Sequence, residues 1–188
     1  NLAIAGLMLG EVYGMTTGER SHKIETALNK ALVYHREVQT WEKVAPSDIG
    51  GWRYGYPEVK GTSSDMSVTG WALMFLRSAR NAEFNVPKQY FDEGLAYVER
   101  CYEPDTKQHD KGVFRYRPMA SAGPDEIPSL SLANTSSAML TLILGGRPDQ
   151  PGVAAGVRWL RSQPYPSPWQ SGYYYLSTYY SSQAVAQV

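Results

Sequence analysis

Gly51-Trp52-Arg53-Tyr54, Gly112-Val113-Phe114-Arg115-Tyr116 and Gly172-Tyr173-Tyr174-Tyr175 are three versions of one short turn in a chain of 188 residues. Trp52 and Phe114 stand 62 residues apart, and Phe114 and Tyr174 stand 60 apart. Each turn follows a one-sided amphipathic segment and precedes an apolar one. A unit that recurs at this length predicts a repeat architecture, in which each unit buries its apolar face by stacking on the next. The units run over about residues 15–82, 83–145 and 146–188.

The segments on either side of the turns are of two kinds. From Ser21 to Val38, apolar Ile24, Ala27, Leu28, Ala31 and Val38 make one stripe, and Lys23, Glu25, Asn29, Lys30, Arg36 and Glu37 oppose it. That is helical spacing with one buried face. A second such helix opens at Val86-Pro87, with Pro87 read at the first helical position, and carries Phe91, Leu95, Val98 and Tyr102. Pro151 opens a third, with Val153, Val157 and Leu160. Between them, Ser67 to Ala79 and Ala138 to Leu144 are apolar almost all round, as are residues 2–9. A helix without a polar face is buried on all sides. Ser63-Ser64-Asp65 and Asn134-Thr135-Ser136 are read as caps of these inner helices. Alternating outer and inner helices predict an all-α fold, an α/α toroid present as a partial ring, with an open α-solenoid as the rival.

Composition excludes several function classes. Hydrophobic residues make up 43% and charged residues 19%, with a formal net charge of zero. Nucleic-acid binding needs a positive field, so neutral charge without a basic run argues against it. No stretch has the roughly 20 apolar residues of a transmembrane segment. One cysteine excludes an intrachain disulfide. The chain opens on an apolar helix and stops inside another at Ser181–Val188, which reads as a piece of a longer protein. Inner helices at both ends, including the tyrosine-rich Tyr173 to Tyr180, predict self-association or cover by further hairpins.

Trp159-Leu160-Arg161-Ser162-Gln163, followed by Gly172-Tyr173-Tyr174, resembles the QW repeat of squalene cyclases. Tyr34 and Tyr97 are the counterparts of Trp159 in this reading, and Val38 and Cys101 those of Gln163. Together with Ser67-Val68-Thr69-Gly70-Trp71-Ala72-Leu73, the pattern is similar to bacterial prenyltransferase/squalene-oxidase repeat proteins related to the squalene–hopene cyclase C-terminal domain. The resemblance implies the α/α toroid of the terpenoid cyclase and protein prenyltransferase superfamily, and a cavity for an isoprenoid or another apolar ligand. In that family's cyclases an Asp-x-Asp-Asp motif protonates an alkene. Asp65 falls on the acid's place, without the flanking acids that would tune it. It is the candidate catalytic acid; the alternative is a helix cap.

Trp71 and Phe75 on the inner helix, and Trp52, Tyr54, Phe114 and Tyr116 in the turns, are the candidate cavity residues. Aromatic faces stabilise cations, and the competing role for each is plain core packing. Zinc is not expected, nor any other cofactor. Cys101 and His22, His35 and His109 do not assemble four tetrahedral ligands, Cys101 lacks an Asp two residues before it, and no Gly-Cys-Gly-Glu-Gln thioester motif is present. Two further readings stand beside the isoprenoid one. The toroid is a scaffold or protein-binding module. Otherwise Gly50-Gly51-Trp52-Arg53-Tyr54-Gly55-Tyr56-Pro57, similar to a turn of α/α-toroid polysaccharide lyases, lines a sugar cleft with Asp65.

Overall fold

The computed structural model describes residues 2–54, 61–104, 112–121, 131–163 and 173–187. Gly172, His109, residues 55–57 of the lyase-like turn and residues 122–130 lie outside the described residues. Among those described, seven α-helices follow one another. They are α1 (Leu2–Tyr13), α2 (Gly18–Thr40), α3 (Met66–Asn81), α4 (Lys88–Arg100), α5 (Leu132–Leu144), α6 (Pro151–Ser162) and α7 (Tyr174–Val185). Single 3-10 turns occur at Pro46–Asp48 and Met119–Ser121. Extended backbone meets only at two isolated bridges among the described residues, Lys43 with Thr62 and Tyr102 with Phe114. The fold is all-α.

The odd-numbered helices form one layer. Helix α3 packs against both α1 and α5, and α5 also packs against α7. The even-numbered helices cover that layer: α2 rests on α1 and α3, α4 on α3 and α5, and α6 on α5. This two-layered order is compatible with an α/α toroid. The layers follow from the stripes. Helix α2 buries Leu28, Ala31, His35 and Gln39, one residue per turn along a single face. Helix α5 buries Ala133 and every residue from Thr135 to Leu142, and only Leu132, Asn134 and its last two residues, Ile143 and Leu144, are partly open. Small residues set the spacing inside the odd layer. A Cβ on Gly6 would come within 2.6 Å of the Phe75 ring, and one on Gly70 within 2.9 Å of Ser137 Oγ. Helices α1, α3 and α5 therefore approach closer than larger side chains allow.

Four local expectations are corrected. Pro87 caps α4 from outside, with extended ψ, and Lys88 is the first helical residue. The cap of α5 is Ser131, whose Oγ accepts from Asn134 N–H at 3.1 Å. Asn134, Thr135 and Ser136 lie inside the first turns of α5, because Ser131 supplies the acceptor that a cap needs. Tyr174 and Tyr175 belong to the first turn of α7 rather than to a turn equivalent to Trp52, and Tyr173 before them takes φ +62°.

The fourth correction concerns register. The inward positions of the outer helices are His35, Tyr97 and Trp159, each 62 residues from the next, followed four residues later by Gln39, Cys101 and Gln163. Tyr34 is 37% exposed, whereas His35 is 4% exposed. A slip of one residue turns a helical side chain by about 100°, which separates the expected Tyr34 and Val38 from the observed pair. Gln39 ties the unit together: its Nε2 donates to Gly50 O and to Tyr90 O, both at 3.0 Å. Gln163 donates to Trp159 O at 3.2 Å, within its own helix end.

Candidate functional site

The first turn is fastened to α3 by one hydroxyl. Trp52 N–H donates to Thr69 Oγ1 at 2.9 Å, and Asp65 N–H donates to Trp52 O at 3.0 Å. Thr135 repeats the device in the second unit, accepting from Val113 N–H at 3.0 Å. Both threonines are fully buried. They fix where each aromatic of the turn sits.

Trp52 is 2% exposed and stacks on His35 with ring centroids 4.8 Å apart and planes 19° apart. Its Nε1–H donates to His35 O at 2.9 Å. Phe75 meets the imidazole in a T-shaped contact with ring centroids 5.1 Å apart. Enclosed in this way, His35 is held neutral. Burial pushes its pKa down to about 4, against a small upward pull from the Ala72 backbone. Its Nε2 is buried and has no hydrogen-bond partner among the described residues.

In front of this stack lies a pocket of about 310 Å³ between α1, α2, α3 and the turn. Leu2, Ala3, Ile4, Val38 and Val68 give its apolar wall, and Tyr34, His35, Trp52, Tyr54 and Trp71 its aromatic one. Arg53 is the cation in that wall, and its Nη1 donates to Ser63 Oγ at 2.8 Å. Trp71 also stacks on Tyr179 of α7, with planes 14° apart. Of the candidates named from sequence, Trp52, Tyr54 and Trp71 share this pocket. Phe75 is fully buried behind His35, and Phe114 is fully buried against Tyr102. His35 and Tyr34 complete the wall without having been singled out for it. The signal for His35 was present as the 62-residue spacing to Tyr97 and Trp159.

Asp65 is fully buried at the N-cap of α3. Its Oδ1 accepts from Val68 N–H and Ser67 Oγ, both at 2.8 Å. Its Oδ2 is buried without a hydrogen-bond partner among the described residues. Burial raises its pKa above the ordinary 3.8, and the Val68 N–H, Ser67, the Arg53 charge and the Tyr116 hydroxyl offset part of that rise. Tyr116 is half-buried nearby, and its carbonyl accepts from Met66 N–H at 2.9 Å. The pocket wall does not include Asp65.

The raised pKa makes a signed prediction. In the folded state Asp65 holds its proton to higher pH than in the unfolded chain, so its contribution is fully present below about pH 3.8 and is lost as pH rises through the folded pKa. The Asp65→Asn variant keeps an acceptor for the cap but cannot ionise. Urea unfolding at pH 4, 6 and 8 should show wild type losing stability relative to Asp65→Asn as pH rises. Parallel curves for the two proteins would show that Asp65 ionises as easily folded as unfolded.

A second buried group of polar residues lies behind the first turn. Asp48 is fully buried and its Oδ1 accepts from Ser64 N–H at 2.9 Å. Lys43 donates to Gly51 O at 2.8 Å, and burial, opposed by the Asp48 charge, lowers its pKa to about 8. Burial pushes the Cys101 thiol up to about 12, so this cysteine is a core residue, not a thiolate. Among the described residues no three His, Cys, Asp or Glu side chains come together as a metal-ligand group. No described helix is long and apolar enough to cross a membrane. Leu2, Ile4 and Met8 on α1, and Tyr175, Tyr179 and Val185 on α7, are exposed at the two ends of the odd layer. No protein-family model, curated protein or solved structure matches the chain.

Proposed function

We propose that this is a ligand-binding helical-repeat module, built as a squalene-cyclase-like α/α toroid, whose turn-end pocket holds an apolar, isoprenoid-like small molecule. The observation that carries this reading is the pocket wall: five aliphatic and five aromatic side chains surround about 310 Å³, with Arg53 as a single charged contact at one side. A site of that size and polarity suits a small ligand with an apolar body and one polar end. The alternation of odd and even helices, and the inward pairs at 62-residue spacing, support the toroid and the QW-like kinship. Asp65 takes the role of a cap in this reading, and the module binds without turning its ligand over. The exposed ring of Tyr54 beside Arg53 favours a sugar as the second reading, because sugars lie flat on aromatic faces and accept hydrogen bonds from arginine.

Equilibrium dialysis separates these readings. Farnesol should bind saturably, and Trp71→Ala should weaken it by about tenfold, since the indole gives a large share of the apolar contact. Saturable binding of a galacturonan oligosaccharide, with none of farnesol, would replace the isoprenoid reading by the sugar one. Binding of neither would leave the scaffold role.

A further inference from the structure

A second cleft, of about 430 Å³, opens at the opposite end of α3 from the aromatic pocket. It lies between the last turns of α3 and α5, the first turn of α4 and the loop after α5. Four cationic residues converge on it from three segments: Arg77 and Arg80 of α3, Lys88 of α4, and Arg147 after α5. Asp92 is the one acid among the described residues that line it. Asp92 is shared between Lys88 at 2.7 Å and Arg147 at 3.3 Å, and Arg147 also meets Glu99 at 2.5 Å.

The other two cations are differently placed. Arg77 donates to the Leu144 carbonyl, and Arg80 holds its guanidinium 5.8 Å from the Phe91 ring centroid. Neither forms an ion pair with a carboxylate among the described residues, and both are exposed on one face of α3, three residues apart. The C-terminal ends of α3 and α5 carry partial negative charge, and these cations serve them too. Even with both helix ends, Asp92 and Glu99 counted, four cations leave the cleft positive. The α4 N-terminus, capped by Pro87 without a side-chain acceptor, adds to the field. Phe91, Leu95 and Leu144 form an apolar floor beneath the charges.

We propose that this cleft is an anion site for a phosphate monoester with an apolar or aromatic body. Arg77 and Arg80 present guanidinium forks, which match phosphoryl oxygens better than a point charge does. Lys88 and Arg147 supply the surrounding field, and the body rests on Phe91 and Leu144. The site is independent of the turn-end pocket, because the two share no lining residue.

Calorimetric titration with phenyl phosphate and with inorganic phosphate tests it. Phenyl phosphate should bind with one-to-one stoichiometry, and its affinity should fall as salt is raised. Arg80→Gln and Arg77→Gln should each weaken it by about tenfold, as expected for loss of a charged hydrogen-bond donor. Lys30→Gln, an exposed cation on α2, should leave it unchanged. Both arginine variants should keep the melting temperature within a few degrees of wild type, which separates loss of a ligand contact from loss of fold. No saturable binding, or equal weakening by Lys30→Gln and Arg80→Gln, would overturn the site. Equal affinity for phenyl phosphate and inorganic phosphate would overturn the apolar half of the proposal. Trp71→Ala should leave this titration unaltered, so failure here and failure of the isoprenoid reading are read separately.

Discussion

Arg115→Ala should destabilise the fold by about 3–5 kcal/mol, the range found when one partner of a buried ion pair is removed. Arg115 is 2% exposed and its Nε donates to Glu103 Oε2 at 2.7 Å, with a second bond from the same guanidinium. The backbone brackets the pair. Arg115 N–H donates to Cys101 O at 2.8 Å, and Glu103 N–H donates to Val113 O at 2.9 Å. Truncating the arginine removes the opposite charge and both guanidinium bonds from the Glu103 carboxylate, which is largely shielded from water. The loss is a large fraction of an ordinary domain's total stability. It would be read as a fall in the urea midpoint without a change in slope.

The pair itself need not be strongly stabilising. Replacing both ions by apolar residues of similar volume is often near neutral. The double variant Arg115→Met with Glu103→Leu should therefore be much more stable than Arg115→Ala alone. If the single variant costs less than about 1 kcal/mol, the pair is behaving as a hydrated surface bridge and the second turn is not closed as described. The first unit gives the internal comparison. Arg53 is the residue 62 positions before Arg115, and Trp41 stands where Glu103 stands. Without an acid there, Arg53 turns to Ser63 and to the pocket wall. One repeat position is held in a buried ion pair in the second unit and lines the pocket in the first.

That divergence shows what the sequence could disclose. Helical stripes and apolar runs place the helices and their two layers, because burial is written into residue type at helical spacing. The outer-helix repeat is also legible, since His35, Tyr97 and Trp159 keep an unbroken 62-residue period. The QW pattern sets it one residue early, at Tyr34, because a tyrosine resembles the tryptophan of that pattern more than a histidine does. The structure assigns the position by burial, which follows the face of α2 and not the chemistry of the ring. The caps were only partly legible. Asp65 and Asn134 are equally good acceptors by type, and only the path of the preceding loop decides that Ser131 caps α5. The basic cleft was invisible for a different reason. Arg77 and Arg80 are neighbours on one helix, but Lys88 and Arg147 join them only through packing of α4 and α5 on α3.

Trp52→Ala should cost about 3–5 kcal/mol, as large aromatic truncations in cores do. For a chain of this size that lowers the melting temperature by about 10 °C. Three contacts go at once: the stack on His35, the hydrogen bond to His35 O, and the packing of the indole beside Gly94, where a Cβ would already sit 3.0 Å from the ring. Trp52→Phe separates them. It keeps a ring stacked on His35 but loses the hydrogen bond and the benzo-ring packing beside Gly94, so it should cost about 1–3 kcal/mol, less than the alanine variant. Differential scanning calorimetry of the two variants reads the difference. Because Trp52 also lines the pocket, the alanine variant enlarges the cavity proposed to hold an apolar ligand. Farnesol should therefore bind Trp52→Ala less tightly, even at temperatures where the variant is still folded. A variant that melts near wild type would place the indole in a loosely packed surface groove. The turn would then position nothing, and the 62-residue repeat would have no energetic role in shaping the pocket.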